Sequence, residues 1–229
     1  MKVVISQSNY IPWKGYFDNI ASCDVYVAYD DMQYTKRDWR NRNYIKTEQG
    51  LKWLTIPVEV SGKYFQKINE TKISEKDWNK SHWGMIERSY KKAPFFQELG
   101  PWIKELYMTA TSEFLSEINA HFLRAFCEFL DIKTGFKDSR EFVLTEGKTE
   151  KLVSICKVLN ATDYFTGPAA KNYMDESLFE KEKINIHYFD YTGYKEYPQL
   201  HPPFTHGVSI VDLIFNVGRQ SKNYLKFGK

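Results

Sequence analysis

Two adjacent carboxylates, Asp30 and Asp31, stand just ahead of the segment Tyr34–Lys46, YTKRDWRNRNYIK. Five of its thirteen residues are basic (Lys36, Arg37, Arg40, Arg42 and Lys46), and Tyr34, Trp39 and Tyr44 are aromatic. A guanidinium fork takes phosphate oxygens in pairs, and an aromatic ring stacks on the face of a base or sugar. The combination fits a phosphate clamp in a pocket wall or a local nucleic-acid patch. A solvated charged loop is the plainer reading, and the tryptophan within the run counts against it. If the segment is extended, Arg40 and Arg42 project from one face.

Other groups with chemical capacity are more scattered. His201 and His206 flank the stretch PPFT, and either is placed to serve as a base. Asp212 and Asn216, four residues apart, share one face of an apolar helix, as buried partners or as pocket lining. Cys156 falls on an apolar helix face and reads as a core thiol. Motifs for a serine hydrolase elbow, a P-loop, a dinucleotide fingerprint and a zinc protease are absent, and no metal spacing is present. No tightly bound cofactor is expected.

The rest of the composition limits the partners. Net charge is +3 over 229 residues, so any strong positive field is local and a general nucleic-acid binder is not expected. Three cysteines without a CxxC pair point to a reducing cytoplasm, and no leader or membrane span is legible. Aromatic residues make up 17% of the chain. Some of these fill the core and the excess suits binding surfaces.

These residues need elements to hold them. KVVIS (2–6) reads as a buried strand, 14–22 as a helix and DVYVAYD (24–30) as a second strand. Strand–helix–strand predicts an α/β, Rossmann-like sheet, parallel or mixed, with helices on both faces. YIKT and KWLTIPVEV (52–60) suggest a hairpin around EQG, and KINETKIS another strand. Residues 74–131 read as a helical insertion or subdomain within one domain spanning 1–229. Pro94 and Gly100–Pro101 would break it, leaving 102–130 as one long amphipathic helix. A helix at 149–161, a strand at DYFTG, a helix opened by Pro168, a strand at 184–191 and a helix over 208–218 follow. In such a sheet, ligands bind beyond the carboxyl ends of the strands. The expected site therefore gathers Gln7, Asn9, Tyr10 and Trp13 after the first strand. It gathers Asp30, Asp31, Gln33 and Tyr34 after the second. Gly167 and Lys171 come from TGPAAK, whose glycine–proline turn presents backbone N–H groups.

The opening block VVISQSNYIPWKGYFDNIASCDVYVAYDDMQYTKRDWRNRNYIK resembles the WbqC-like family. So do WLTIPV, SYKKAPFF, ATDYFTGPAAKNYM and YPQLHPPFTHGVSIVDLIFNVG, in that order. Ser8 departs from the pattern, which usually has proline there. The resemblance implies an enzyme of bacterial O-antigen or surface-polysaccharide synthesis. Its implied chemistry is transfer of an acyl or aminoacyl group, such as glycyl, to a nucleotide-linked amino sugar. The donor would be a CoA or carrier-protein thioester. On that reading Lys36, Arg37, Arg40, Arg42 and Lys46 hold the diphosphate, and Trp13, Tyr34 and Trp39 supply rings. Asp30 or Asp31, with His201 and Asp212, handles protons. The alternatives are a non-catalytic glycan-assembly binding protein, or a nucleotidyl- or tRNA-handling enzyme whose signature HxGH histidines are missing here.

Overall fold

A computed structural model describes residues 1–227. Five strands form one parallel sheet: β1 (Lys2–Ser6), β2 (Val25–Ala28), β5 (Gly135–Asp138), β6 (Asp163–Thr166) and β7 (Asn185–Tyr188), in the order β5-β2-β1-β6-β7. β3 (Arg42–Thr47) and β4 (Gly50–Thr55) form a separate antiparallel hairpin.

Strand alternation sorts the core into two layers. Val4, Tyr26 and Phe165 face one layer, which is covered by α1 (Lys14–Ala21), α2 (Trp78–Tyr90), α3 (Phe96–Thr109), α4 (Leu115–Phe129) and α7 (Ile210–Val217). Val3, Ile5, Val27 and Tyr164 face the other, under α5 (Lys148–Val158) and α6 (Glu176–Lys181). Helices thus cover both faces. In α4, Leu115, Ile118, Phe122 and Phe126 recur at helical spacing, and all are buried.

Several elements differ from expectation for local reasons. The long helix over 102–130 is two helices, because Thr109 and Ser112 turn their hydroxyls onto nearby backbone groups and end α3. Gly100–Pro101 does not break α3. The proline lies in its second turn, where it forgoes one intrahelical bond and crowds the preceding carbonyl, and the burial of Phe96, Leu99, Ile103 and Leu106 offsets that cost. KINETKIS forms a short 3-10 turn at Ile68–Glu70 with isolated bridges rather than a ladder. Pro168 does open a helical turn, but a 3-10 one ending at Asn172.

Candidate functional site

β1 continues into a helix on one face of the sheet, and β6 into helical segments on the other. The crevice between their carboxyl ends is therefore a topological switch point. It contains a cavity of about 760 Å³, lined among others by Ser6, Gln7, Tyr29, Arg40, Lys148, Lys151, Thr166, Gly167 and Tyr173. Arg40, Lys148 and Lys151 are cations, and no carboxylate lines the cavity among the described residues. A lining whose charges are all positive favours an anion in a cavity of this size, offset in part by Asp38, 3.5 Å from Arg40 Nε.

Its floor is tightly held. Gln7 follows β1, and its carbonyl accepts from Tyr16 Oη at 2.7 Å and from Arg40 Nη1 at 3.3 Å. Asn119 of α4 donates to Ser8 Oγ and to the Arg40 carbonyl, at 3.0 and 2.9 Å. The Ser8 N–H donates to Asp30 Oδ1 at 2.8 Å. Proline has no N–H, so a proline at position 8 would remove that bond. Asp30 is 2% exposed, and burial pushes its carboxyl up to about 6 against the pull of the Ser8 N–H and Arg40.

The N-terminus of α5 forms one wall. Gly147 has φ +90°, and a β-carbon there would lie 2.0 Å from Glu150 Oε2. Glu150 thus folds its carboxylate against the first turn of the helix, next to Lys148 and Lys151. That carboxylate opposes any anion entering the cavity. Glu150→Gln is expected to tighten binding of inorganic pyrophosphate, a plain anionic probe, by about two- to fivefold, as befits an exposed charge worth up to ~1 kcal/mol. Unchanged or weaker affinity in isothermal titration calorimetry would contradict this.

A second cavity, of about 430 Å³, is lined by Asn9, Pro12, Trp13, Trp39, Asn43, Tyr191, His206 and Gly207. Gln7 and Arg40 wall the first cavity while Asn9 and Trp39 wall the second, so the segments 7–9 and 39–40 serve both.

The expected site residues therefore divide. Gln7, Arg40 and Gly167 reach the switch-point cavity, and Asn9, Trp13 and Trp39 reach the aromatic one. Asp30 lies behind Gln7 and acts on it through Ser8. Neither cavity takes in the others. Asp31 is fixed by Ser139 at 2.7 Å and Lys67 at 3.2 Å, which holds its carboxyl below the ordinary range. Tyr10 is a core residue bonded to His82 and Tyr107. Gln33 is exposed, and Tyr34 is buried in the core. Lys36 and Arg37 face solvent. Arg42 lies over the Trp53 ring at 3.9 Å and donates to the Arg37 carbonyl. Lys46 is 3% exposed and bonds Gln199 and the Pro203 carbonyl. Lys171 sits over Tyr188 outside the cavity. His201 lines a different cavity beside Arg88 and Lys92, and bonds the Ser89 carbonyl. Asp212 is buried among Tyr90, Tyr197 and Gln199. The cations of 34–46 do not converge on one ligand: Arg42, Trp39 and Tyr44 gather instead around Trp53 of β4, and Lys46 turns to Gln199 and Pro203. Tyr44 and Trp53 are 3.6 Å apart, and Trp39 and Trp53 5.4 Å.

Lys148, Lys151 and Tyr29 were not expected at the site. The available signal was a glycine followed by lysine at the start of a helix, Gly147–Lys148. All three cysteines are buried thiols, and burial pushes Cys156 up to about 12. Among the described residues no group of three or more histidine, cysteine or acidic side chains is placed to hold a metal ion, and no helix is long and apolar enough to cross a membrane.

Comparison with known proteins agrees with the resemblance in sequence. The chain is 49% identical over 226 residues to the uncharacterized protein Rv1507c of Mycobacterium tuberculosis, covering 99% of this chain and 98% of that one. No solved structure matches. The profile of the WbqC-like protein family matches residues 7–224, and the chain belongs to that family.

Proposed function

We propose that the chain is a transferase that moves an acyl or aminoacyl group to the amine of a nucleotide-linked sugar, with the nucleotide's phosphates in the switch-point cavity. The observation that carries this reading is the convergence there of Arg40, Lys148 and Lys151, with no carboxylate in the lining among the described residues. Tyr29 and Tyr173 offer ring faces beside those cations. The reaction fits a thioester donor, CoA or carrier-bound. The sugar nitrogen forms a bond to the acyl carbon, the carbon–sulfur bond breaks, and the amine's proton leaves on the thiol. The setting in O-antigen or surface-polysaccharide synthesis follows from the family resemblance alone.

Uridine diphosphate is the direct probe. Lys151→Ala is expected to weaken its binding roughly 10- to 100-fold, the loss of one charge-assisted hydrogen bond of ~1.5–3 kcal/mol. Failure of the unaltered protein to bind the nucleotide or its sugar conjugates in calorimetry would end the reading. A non-catalytic sugar-nucleotide-binding role is the second reading. It is favoured by the lack of any carboxylate or imidazole in the lining of this cavity among the described residues. Release of thiol from an acyl thioester in the presence of a nucleotide-linked amino sugar separates the two.

A further inference from the structure

The aromatic cavity has a chemistry unlike that of its neighbour. No lysine, arginine, aspartate or glutamate lines it among the described residues. An anion bound there would have no counter-charge. Its walls are instead ring faces and two polar side chains that lack partners. Asn9 Oδ1 and His206 Nδ1 are both out of water and without a hydrogen bond. Each such atom is destabilising, and buried polar atoms of a folded protein are nearly always partnered. Two of them beside one cavity call for a ligand that donates hydrogen bonds. Reaching it takes a turn of the amide and of the imidazole about their last torsions.

The rings are fixed in advance. Trp13 meets Tyr191 and Tyr194 edge to face, each at 5.4 Å. It also lies over Gly15, where a β-carbon would stand 2.2 Å from its indole. A glycine at that position is thus what lets Trp13 lie along α1. Trp39 is 40% exposed, an indole left in solvent beside the cavity.

We propose that this cavity is a subsite for a primary amine, with Asn9 Oδ1 and His206 accepting from its nitrogen between the faces of Trp13 and Trp39. The inference rests on the nucleotide-sugar reading for the identity of the amine: phosphates at Arg40 set the rest of the ligand beside Trp39. A nitrogen bearing hydrogens satisfies both orphaned acceptors at once. Ring faces tolerate the charge when the amine is protonated. The surroundings also favour the neutral, nucleophilic form. Desolvation and the nearby Lys14 hold His206 below its ordinary range against Glu196, so the imidazole stays neutral and able to accept. Lys14 itself is held away behind the wall, bonded to the Lys195 carbonyl at 2.6 Å within a cage of Tyr194, Tyr197, Phe204 and Tyr224.

D-glucosamine and D-glucose, which differ at this one group, test the proposal by saturation-transfer NMR and tryptophan fluorescence. Glucosamine is expected to bind about tenfold more tightly than glucose and to perturb the fluorescence, a gap equal to ~1.4 kcal/mol. His206→Phe, which keeps a planar ring but removes the acceptor, and Trp39→Ala, at a half-exposed position, are each expected to weaken glucosamine by fivefold or more. Equal affinity for the two sugars, no binding of either, or unchanged affinity in both variants overturns the amine subsite. Uridine diphosphate binding by the unaltered protein, measured alongside, reports on the nucleotide reading separately.

Discussion

Asp212→Ala is expected to lose about 3–5 kcal/mol of stability, the scale for removing one partner from a buried charged network. Oδ2 of Asp212 accepts from Tyr90 Oη at 2.8 Å, and Oδ1 from Tyr197 Oη at 2.7 Å and Gln199 Nε2 at 2.9 Å. Alanine leaves the two phenol hydroxyls without an acceptor, while Gln199 Nε2 keeps the Thr205 carbonyl, and it removes the carboxylate that offsets the buried Lys46. Burial pushes the Asp212 carboxyl upward while the Tyr197 and Tyr90 hydroxyls pull it down, so the network tolerates its acid through those donors. Asp212→Asn keeps the acceptor oxygen and should lose less than the alanine variant. Urea unfolding checks both, and a loss below ~1 kcal/mol for alanine would sink the account, since that is the ordinary effect of a substitution.

The second large effect has the opposite sign. Asp30 has a folded-state value of about 6 against an ordinary 3.8. Two units at about 1.4 kcal/mol each put the cost of the buried charge on the order of 3 kcal/mol at neutral pH. Because the folded-state value is the higher one, the folded protein binds this proton more tightly. The contribution is intact below 3.8 and is lost as pH rises through about 6. Asp30→Asn keeps an oxygen for the Ser8 N–H and carries no charge. It should be more stable than wild type near neutral pH, with the difference closing in acid. Stability curves at several pH values decide it, and an asparagine variant no more stable at neutral pH would refute the argument. A carboxylate kept at such a cost beneath the floor of the switch-point cavity is what a functional constraint would leave.

The α/β framework was readable because its signals are local. β1, α1 and β2 each carry their own pattern within the first thirty residues, and the alternation in KVVIS already assigns Val3 and Val4 to opposite layers. β5 was not readable: GFKD is four residues long with a glycine and two charges, and its pairing with β2 is set by tertiary context. Missing β5 hid the crossover that brings α5 to the switch point, and with it Lys148 and Lys151. The cations of the basic segment failed for a different reason. Lys46 is bonded to Gln199, 153 residues away in sequence, and no local spacing encodes such a contact. Arg40 alone of the five lines the cavity, because the chain turns into β3 immediately after it.

Trp39 and Arg40 are consecutive residues, yet they wall different cavities. Their shared backbone is tied at two points: the Trp39 carbonyl accepts from the Tyr10 N–H at 3.1 Å and the Arg40 carbonyl from Asn119. Any factor that filling the first cavity applied to affinity at the second would have to be returned in equal measure at the first. A single ligand long enough to span both cavities would be gripped by two consecutive residues of one tied backbone segment.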